Sequence, residues 1–146
     1  MKKAKKSYTK KTPVPKKKGK ALGTHIFIDL RGCDNNFIGD KDMMLSLMRT
    51  AVQTAHATEI DHVARNLGKN FHPLRKNTPP GVSIAVILDE SHITCHTYAD
   101  RGMCAIDIFT CGETAKPQAA VHYILHNIVH KEKDVTYHQR FFIPEE

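Results

Sequence analysis

The sequence predicts an α+β domain, a two-layer α/β sandwich in which a mainly antiparallel sheet carries two helices on one face. Runs of β-branched and aromatic residues recur along the chain, whereas only two stretches show helical periodicity. Three of the strand-like runs follow one another with short turns between them, as is typical of antiparallel hairpins. The predicted order, β-α-β-loop-β-β-β-α-β, places both helices on the same side of the sheet.

The first half of the chain predicts one helix between two strands. Residues 25–30 combine β-branched and aromatic side chains and predict the first strand. Asp40 is suited to cap a helix that runs to about His56. Residues 57–63 predict a second strand, and the polar residues 65–80, with three prolines, predict a loop. The apolar face of the helix comprises Met44, Leu47, Met48, Ala51 and Val52.

The second half predicts a three-stranded meander, a helix and a last edge strand. The meander strands cover residues 82–88, 93–98 and 104–109. Pro117 opens a helix to about His130, because proline is favoured in the first helical turn. Residues 135–142 predict the edge strand. The predicted inward positions of the helix are Ala120, Tyr123, Ile124, Ile128 and Val129.

The positive charge is concentrated at the N-terminus. The formal net charge is +7. Residues 1–20 contain ten lysines and no acid, so twelve basic and fifteen acidic residues remain in residues 21–146. We expect residues 1–20 to be a disordered, solvated tail, because they lack the apolar residues that offset ordering entropy. Contact of this tail with nucleic acid or another polyanion is the less favoured alternative.

Several classes of protein are disfavoured. No apolar segment follows the N-terminal lysines as in a secretory signal, and no run approaches the roughly 18 apolar residues of a membrane span. The four cysteines form no CxxC pair, so we expect reduced thiols and a cytoplasmic protein. The helix histidines His122, His126 and His130 share one stripe but have no companion ligand. That stripe is interpreted as a solvated face, and no metal is expected.

Ser91 is the candidate reactive residue. It follows Glu90 and precedes two histidines, His92 and His96. A serine hydroxyl near a histidine can attack a carbonyl, and attack on its own preceding residue breaks the chain between Glu90 and Ser91. Strand parity places both histidines on one face and Ser91 on the other, unless a turn at the strand start overrides that parity.

Two further residues complete this candidate set. Ser83 lies upstream of Ser91, and Cys111 lies at the end of the following strand. Serine, histidine and cysteine near strand ends can serve as nucleophile, base and acid. The alternative interpretation is structural, with Ser91 and the histidines as turn and edge residues and Cys111 as a small buried hydrophobe.

Five short motifs follow one another along the chain. They are residues 22–26 (LGTHI), 29–34 (DLRGCD), 81–83 (GVS), 90–97 (ESHITCHT) and 105–112 (AIDIFTCG). In this order and spacing they closely resemble the motifs of the small prokaryotic S-adenosylmethionine decarboxylase proenzymes, a family of pyruvoyl-dependent decarboxylases. The resemblance runs from about Leu22 to the helix at Pro117 and continues more weakly to the C-terminus.

The resemblance implies self-cleavage. Ser91 would attack the carbonyl of Glu90, and β-elimination of the resulting ester would convert residue 91 into a pyruvoyl group, the only cofactor. A β chain would end at Glu90 and an α chain would begin at residue 91. By the same resemblance, His96 removes the α-proton during elimination and Ser83 assists processing. Cys111 donates a proton in the later decarboxylation.

The resemblance also implies how the mature protein works. The pyruvoyl carbonyl would capture the substrate amine as a Schiff base and accept electrons, so neither pyridoxal phosphate nor a metal is needed. The expected product is decarboxylated S-adenosylmethionine for spermidine biosynthesis. The family fold is a two-layer sandwich that forms homodimers of αβ units, with sites near the interface.

The expected substrate-binding segments depart from the family pattern. After its His-Thr pair the family usually has Trp-Pro-Glu, in which the acid binds the ribose, whereas this chain has Tyr98, Ala99 and Asp100. The family also places a phenylalanine shortly before Gly-Val-Ser to stack the adenine. Here Phe71 lies farther upstream, and the basic Arg75 and Lys76 are nearer.

These departures leave two alternatives beside S-adenosylmethionine, which ranks first. A pocket without the adenine stack could serve an arginine or ornithine decarboxylase, with Asp100 or Glu113 pairing with the guanidinium or ammonium group. A non-enzymatic module that binds polyanions through its lysine-rich tail is the second alternative.

Overall fold

The computed structural model describes residues 19–71 and 77–143 as a six-stranded sheet with three helices. In chain order the elements are β1 (Lys20–Arg31), α1 (Asn35–Gly39), α2 (Lys41–Thr54), β2 (Glu59–Leu67), β3 (Gly81–Leu88), β4 (Ser91–Tyr98), β5 (Met103–Cys111), α3 (Pro117–Asn127) and β6 (Glu132–Ile143). The sheet order is β2-β3-β4-β5-β1-β6, and every neighbouring pair is antiparallel. This confirms the predicted α+β class and the β3-β4-β5 meander.

The hydrophobic core lies between one face of the sheet and helices α2 and α3. Asp40 caps α2 as predicted, because its Oδ1 accepts hydrogen bonds from the backbone N–H groups of Asp42 and Met43, each at 2.9 Å. The buried residues of α2 are the five predicted for its apolar face. Alternate residues of the central strands complete the core. The opposite face, which we call the open face, is covered by none of the helices in residues 19–71 and 77–143.

Two elements differ from the sequence prediction, one because the helix is short and the other because the strand lies at the edge of the sheet. Helix α1 was not predicted, because a helix of five residues is too short to show periodicity. Asp34 caps its N-terminus, and its buried residue, Ile38, packs into the core. Strand β2 runs through Arg65 to Leu67, which were predicted as loop. Because β2 is an edge strand paired only with β3, it is largely exposed and lacks the apolar run of a central strand.

Helix α3 is shorter than predicted. It ends at Asn127, and Ile128 is already extended, with φ −102° and ψ 112°. Val129 is therefore 77% exposed and not inward. His122 and His126 lie on an exposed helix face as expected, but His130 lies beyond the helix and does not share their stripe.

Several predictions fall on residues outside the described ranges. Residues 1–18 belong to the predicted tail, whose disorder stays a prediction, and β1 begins at Lys20. Residues 72–76 include Arg75 and Lys76. Within the described ranges, no helix has the length and apolar character needed to cross a membrane.

Candidate active site

Ser91 lies at the tip of the β3–β4 hairpin. Leu88 pairs with Ser91, so the turn consists of only Asp89 and Glu90. Ser91 has a φ of 148°, a value that residues with a Cβ atom rarely adopt. Such a conformation costs about 1–3 kcal/mol and persists only where the surroundings impose it. The strained residue is therefore the serine that was predicted from the sequence to be reactive.

Cys111 holds the carbonyl group that precedes Ser91. The backbone N–H and the thiol of Cys111 both donate hydrogen bonds to the carbonyl oxygen of Glu90, each at 3.0 Å. The Cys111 Sγ also lies 3.6 Å from the Ser91 Oγ. Two donors on one carbonyl oxygen polarise it and stabilise the negative charge that nucleophilic attack would place there. We call Glu90, Ser91 and Cys111 the scissile cluster.

Ser83 and His96 form a second cluster at a distance from the first. They are register partners on β3 and β4, and their positions lie on the open face. Tyr98 packs edge-on against His96, with ring centroids 5.0 Å apart. His96 lies five positions after Ser91 along an extended strand, which corresponds to about 16 Å. We call Ser83, His96 and Tyr98 the distal cluster; the structure does not bring it to Ser91 of the same chain.

A cavity of about 300 Å³ adjoins the distal cluster. Ser83 and His96 line it, together with Arg65, Thr94 and Asp107 as its other polar residues. The cavity therefore presents a guanidinium and a carboxylate beside the two residues expected to assist processing. These residues lie together because of the register of strands β2 to β5, which was not predicted from the sequence.

The two acids predicted as substrate ligands differ in their position relative to the scissile cluster. Asp100 is exposed on a 3-10 turn, Ala99–Arg101, after the end of β4 farthest from Ser91. Glu113 follows Cys111 by two residues, but it is exposed and pairs with Lys20 at 2.8 Å. Asp100 is therefore remote from Ser91 of its own chain, and the Glu113 carboxylate is bound to a lysine.

A histidine and aromatic group occupies the open face near β1. His25 stacks on Phe27 at 4.3 Å between ring centroids and lies 6.3 Å from His92. Burial lowers the pKa of His25, and the nearby Arg140 opposes its protonation, whereas Asp107 favours it. Among the described residues, no hydrogen-bond partner reaches the buried Nε2 of His25. The surroundings of His25 therefore oppose its protonation more than they favour it.

The other cysteines differ from Cys111 in position. Cys33, Cys95 and Cys104 are buried on the helix side of the sheet, and all four cysteines are free thiols. Burial raises the pKa of Cys33 to about 11. The pKa of Cys104 is also raised, by its hydrogen-bonding contact with Cys95 and by burial. These three groups are core thiols, and Cys111 is the cysteine that lies beside Ser91.

In the described part of the chain, no cluster of side chains is suited to hold a metal ion.

Comparisons with known proteins agree with one another. The model of the family described as S-adenosylmethionine decarboxylase matches residues 24–141. A protein of Thermodesulfovibrio yellowstonii named S-adenosylmethionine decarboxylase proenzyme is 39% identical over 105 residues, which cover 72% of this chain and 70% of that protein.

A protein of the same name from Caldanaerobacter subterraneus subsp. tengcongensis is 42% identical over 106 residues, covering 71% of this chain and 76% of that protein. The crystal structure of the adenosylmethionine decarboxylase from Aquifex aeolicus superimposes with a TM-score of 0.75 and 32% identity. The superposition covers 88% of this chain and 98% of that one.

Proposed function

Because the chain belongs to the S-adenosylmethionine decarboxylase family, we propose that it is a proenzyme that cuts itself between Glu90 and Ser91 and then decarboxylates S-adenosylmethionine. The observation that carries the proposal is the scissile cluster, in which two donors of Cys111 bind the Glu90 carbonyl beside the strained Ser91. The comparisons do not favour the arginine, ornithine or polyanion-binding alternatives.

Cleavage follows from the arrangement of atoms at the hairpin tip. The Ser91 Oγ attacks the Glu90 carbonyl carbon while both Cys111 donors stabilise the developing oxyanion. The C–N bond breaks, the hydroxyl proton passes to the released amine of residue 91, and an ester remains. Relief of the positive φ of Ser91 favours this step.

Elimination completes the cut. A base removes the α-proton of residue 91, the Cβ–Oγ bond breaks, and Glu90 leaves as the terminal carboxylate of the β chain. Water then replaces the nitrogen of the dehydroalanine, ammonia departs, and a pyruvoyl group remains at residue 91. His96 is the proposed proton acceptor, and Ser83, its register partner, is the proposed assistant.

The position of residue 91 suits a pyruvoyl group. The Cys111 thiol, 3.6 Å from the Ser91 Oγ, is half-buried and within reach of a substrate held there. The pyruvoyl group supplies a carbonyl that binds the substrate amine and withdraws electrons. Cys111 returns a proton after carbon dioxide leaves. The free state of all four cysteines agrees with action in the cytoplasm, where thiols stay reduced.

The distance between the two clusters supports a homodimer of αβ units. At about 16 Å, His96 cannot reach Ser91 of its own chain without rearrangement of β4. A second copy packed against the open face can bring its distal cluster to the first copy's scissile cluster, and a two-fold axis repeats the contact. The open face is suited to this role, since it exposes Phe27, Val63 and Ile87 by 36%, 45% and 44%. Tyr98 and Asp100 would then be presented as substrate ligands by the partner copy.

The experiment is a decarboxylation assay on the purified, fully incubated protein. Carboxyl-labelled S-adenosylmethionine, arginine and ornithine are offered separately, and release of labelled carbon dioxide is measured. We expect release from S-adenosylmethionine alone, and none from Ser91→Ala, which cannot form the pyruvoyl group. Release from arginine or ornithine alone would overturn the proposed substrate, and equal release by Ser91→Ala would overturn the pyruvoyl chemistry.

A further inference from the structure

A contact between Thr58 and the scissile turn connects two distant parts of the chain. The backbone N–H of Thr58 donates to Glu90 Oε2 at 2.9 Å, and its hydroxyl lies 3.4 Å from Oε1. In the other direction, the backbone N–H of Asp89 donates to the carbonyl oxygen of Thr58 at 3.0 Å. Both turn residues are therefore bound to one residue of the α2–β2 connection, 32 positions before Glu90.

The α2–β2 connection is itself anchored. The N–H of Ala57 donates to Val52 O at 3.1 Å, and the N–H of Lys116 donates to Ala55 O at 2.7 Å. The segment before Thr58 is thus held to helix α2 and to the residue before helix α3. The contacts of Thr58 with Asp89 and Glu90 therefore fix the hairpin tip relative to helices α2 and α3.

We propose that Thr58 and the Glu90 carboxylate form a clamp that positions the Glu90–Ser91 bond for the acyl shift. The inference rests on the proposed self-cleavage and adds a positioning residue, Thr58, that lies outside the reacting atoms.

The clamp acts through the orientation of the peptide bond. Cys111 holds the carbonyl oxygen of Glu90 from the β5 side, and Thr58 holds its side chain from the opposite side. Because Glu90 is fixed at both points, the chain can reverse direction only by a change in the backbone of Ser91, whose φ is 148°. Without the clamp, Glu90 can rotate, Ser91 can relax to a negative φ, and its Oγ loses its alignment with the carbonyl carbon. Misplacement of reacting groups by about 1 Å can cost about a hundredfold in rate.

A matched pair of substitutions at Glu90 separates the effect of side-chain length on the cleavage rate from the effect of side-chain charge. Glu90→Gln keeps the length of the side chain and an oxygen that can accept from the Thr58 N–H. Glu90→Asp keeps the negative charge but is one methylene too short. Asp89→Ala is the control, because the exposed Asp89 side chain takes no part in the clamp. Conversion of fresh precursor into two chains is followed on denaturing gels.

We expect Glu90→Asp to be cut about tenfold more slowly than the wild type and Glu90→Gln only about threefold more slowly, because an amide oxygen still reaches the Thr58 N–H but accepts a weaker hydrogen bond than a carboxylate. Asp89→Ala, whose side chain lies outside the clamp, should be cut at the wild-type rate. Hydroxylamine, which cleaves the ester directly, should not restore the rate of Glu90→Asp, because the clamp acts before the ester forms. Thermal unfolding of each variant in a Ser91→Ala background measures the cost in folding separately.

The clamp is overturned if Glu90→Asp is cut at the wild-type rate, if Glu90→Gln is as slow as Glu90→Asp, or if hydroxylamine restores the slow variant. These outcomes differ from failure of the proposed function, in which the wild-type chain itself stays intact.

Discussion

At residue 91 an unfavourable backbone angle coincides with a polarised carbonyl. A serine with a φ of 148° stores strain, and Cys111 directs two donors at the bond that would relieve it. Either feature alone is compatible with an ordinary turn. Together they support the proposed cleavage over the turn-and-edge interpretation that the sequence left open.

Thr97 is a residue whose role is structural. The residue is 1% exposed, and its hydroxyl accepts from Val82 N at 2.8 Å and donates to Ile38 O at 2.8 Å. Thr97→Val keeps the shape but leaves both backbone groups without their buried partner. We predict a loss of about 1–3 kcal/mol in the free energy of unfolding, measured by urea denaturation in a Ser91→Ala background.

Thr94→Val is the matched control for this substitution. Thr94 lies on the open face, and its hydroxyl donates to Asp107 Oδ2 at a long 3.4 Å. Its stability should change by less than about 0.5 kcal/mol. Equal stability of the two variants would show that the buried hydroxyl of Thr97 contributes nothing.

Elements with strong local signals were predictable from the sequence. The face of α2 follows from apolar residues at helical spacing and a capping aspartate, and both are found in the structure. The meander strands follow from β-branched runs between tight turns, although each extends a residue or more beyond its apolar part. Hydrogen bonding to a neighbouring strand, which apolar patterning does not report, accounts for the extra length.

The parts of the site that depend on distant pairing were not predictable in this way. Ser83 faces His96 because of the β3–β4 register, and no local pattern establishes a register. Thr58 reaches Glu90 only because α2 and β2 bring it to the hairpin tip. Parity correctly placed His92 and His96 on one face of β4, whereas the turn at Asp89 and Glu90 gives Ser91 its unusual φ and a contact with Cys111.

The whole molecule is a sandwich with one face covered. Helices shield one side of the sheet, and the open face carries both apolar side chains and the distal cluster. A monomer would leave His96 about 16 Å from the residue it is proposed to serve. The proposed site shared between two copies would account for the exposed face and for the separation of the clusters.

Sharing between copies predicts complementation. Ser91→Ala keeps His96 but has no reactive serine, and His96→Ala keeps the serine but has no base, so neither variant should be cut alone. Co-expressed with distinguishable tags, the pair should form mixed dimers in which the His96→Ala chain is cut. Cleavage read by mass spectrometry in the mixture but not in the separate samples supports a shared site. An intact His96→Ala chain in isolated mixed dimers would contradict it.

Self-cleavage between Glu90 and Ser91 is tested most directly by the intact mass of the purified wild-type protein under denaturing conditions. We predict two species, residues 1–90 ending in a free carboxylate and residues 91–146 lighter by one ammonia than a chain beginning with serine. Ser91→Ala should give one uncut chain. A single wild-type species of 16.5 kDa that survives prolonged incubation would contradict the cleavage and the pyruvoyl enzyme that depends on it.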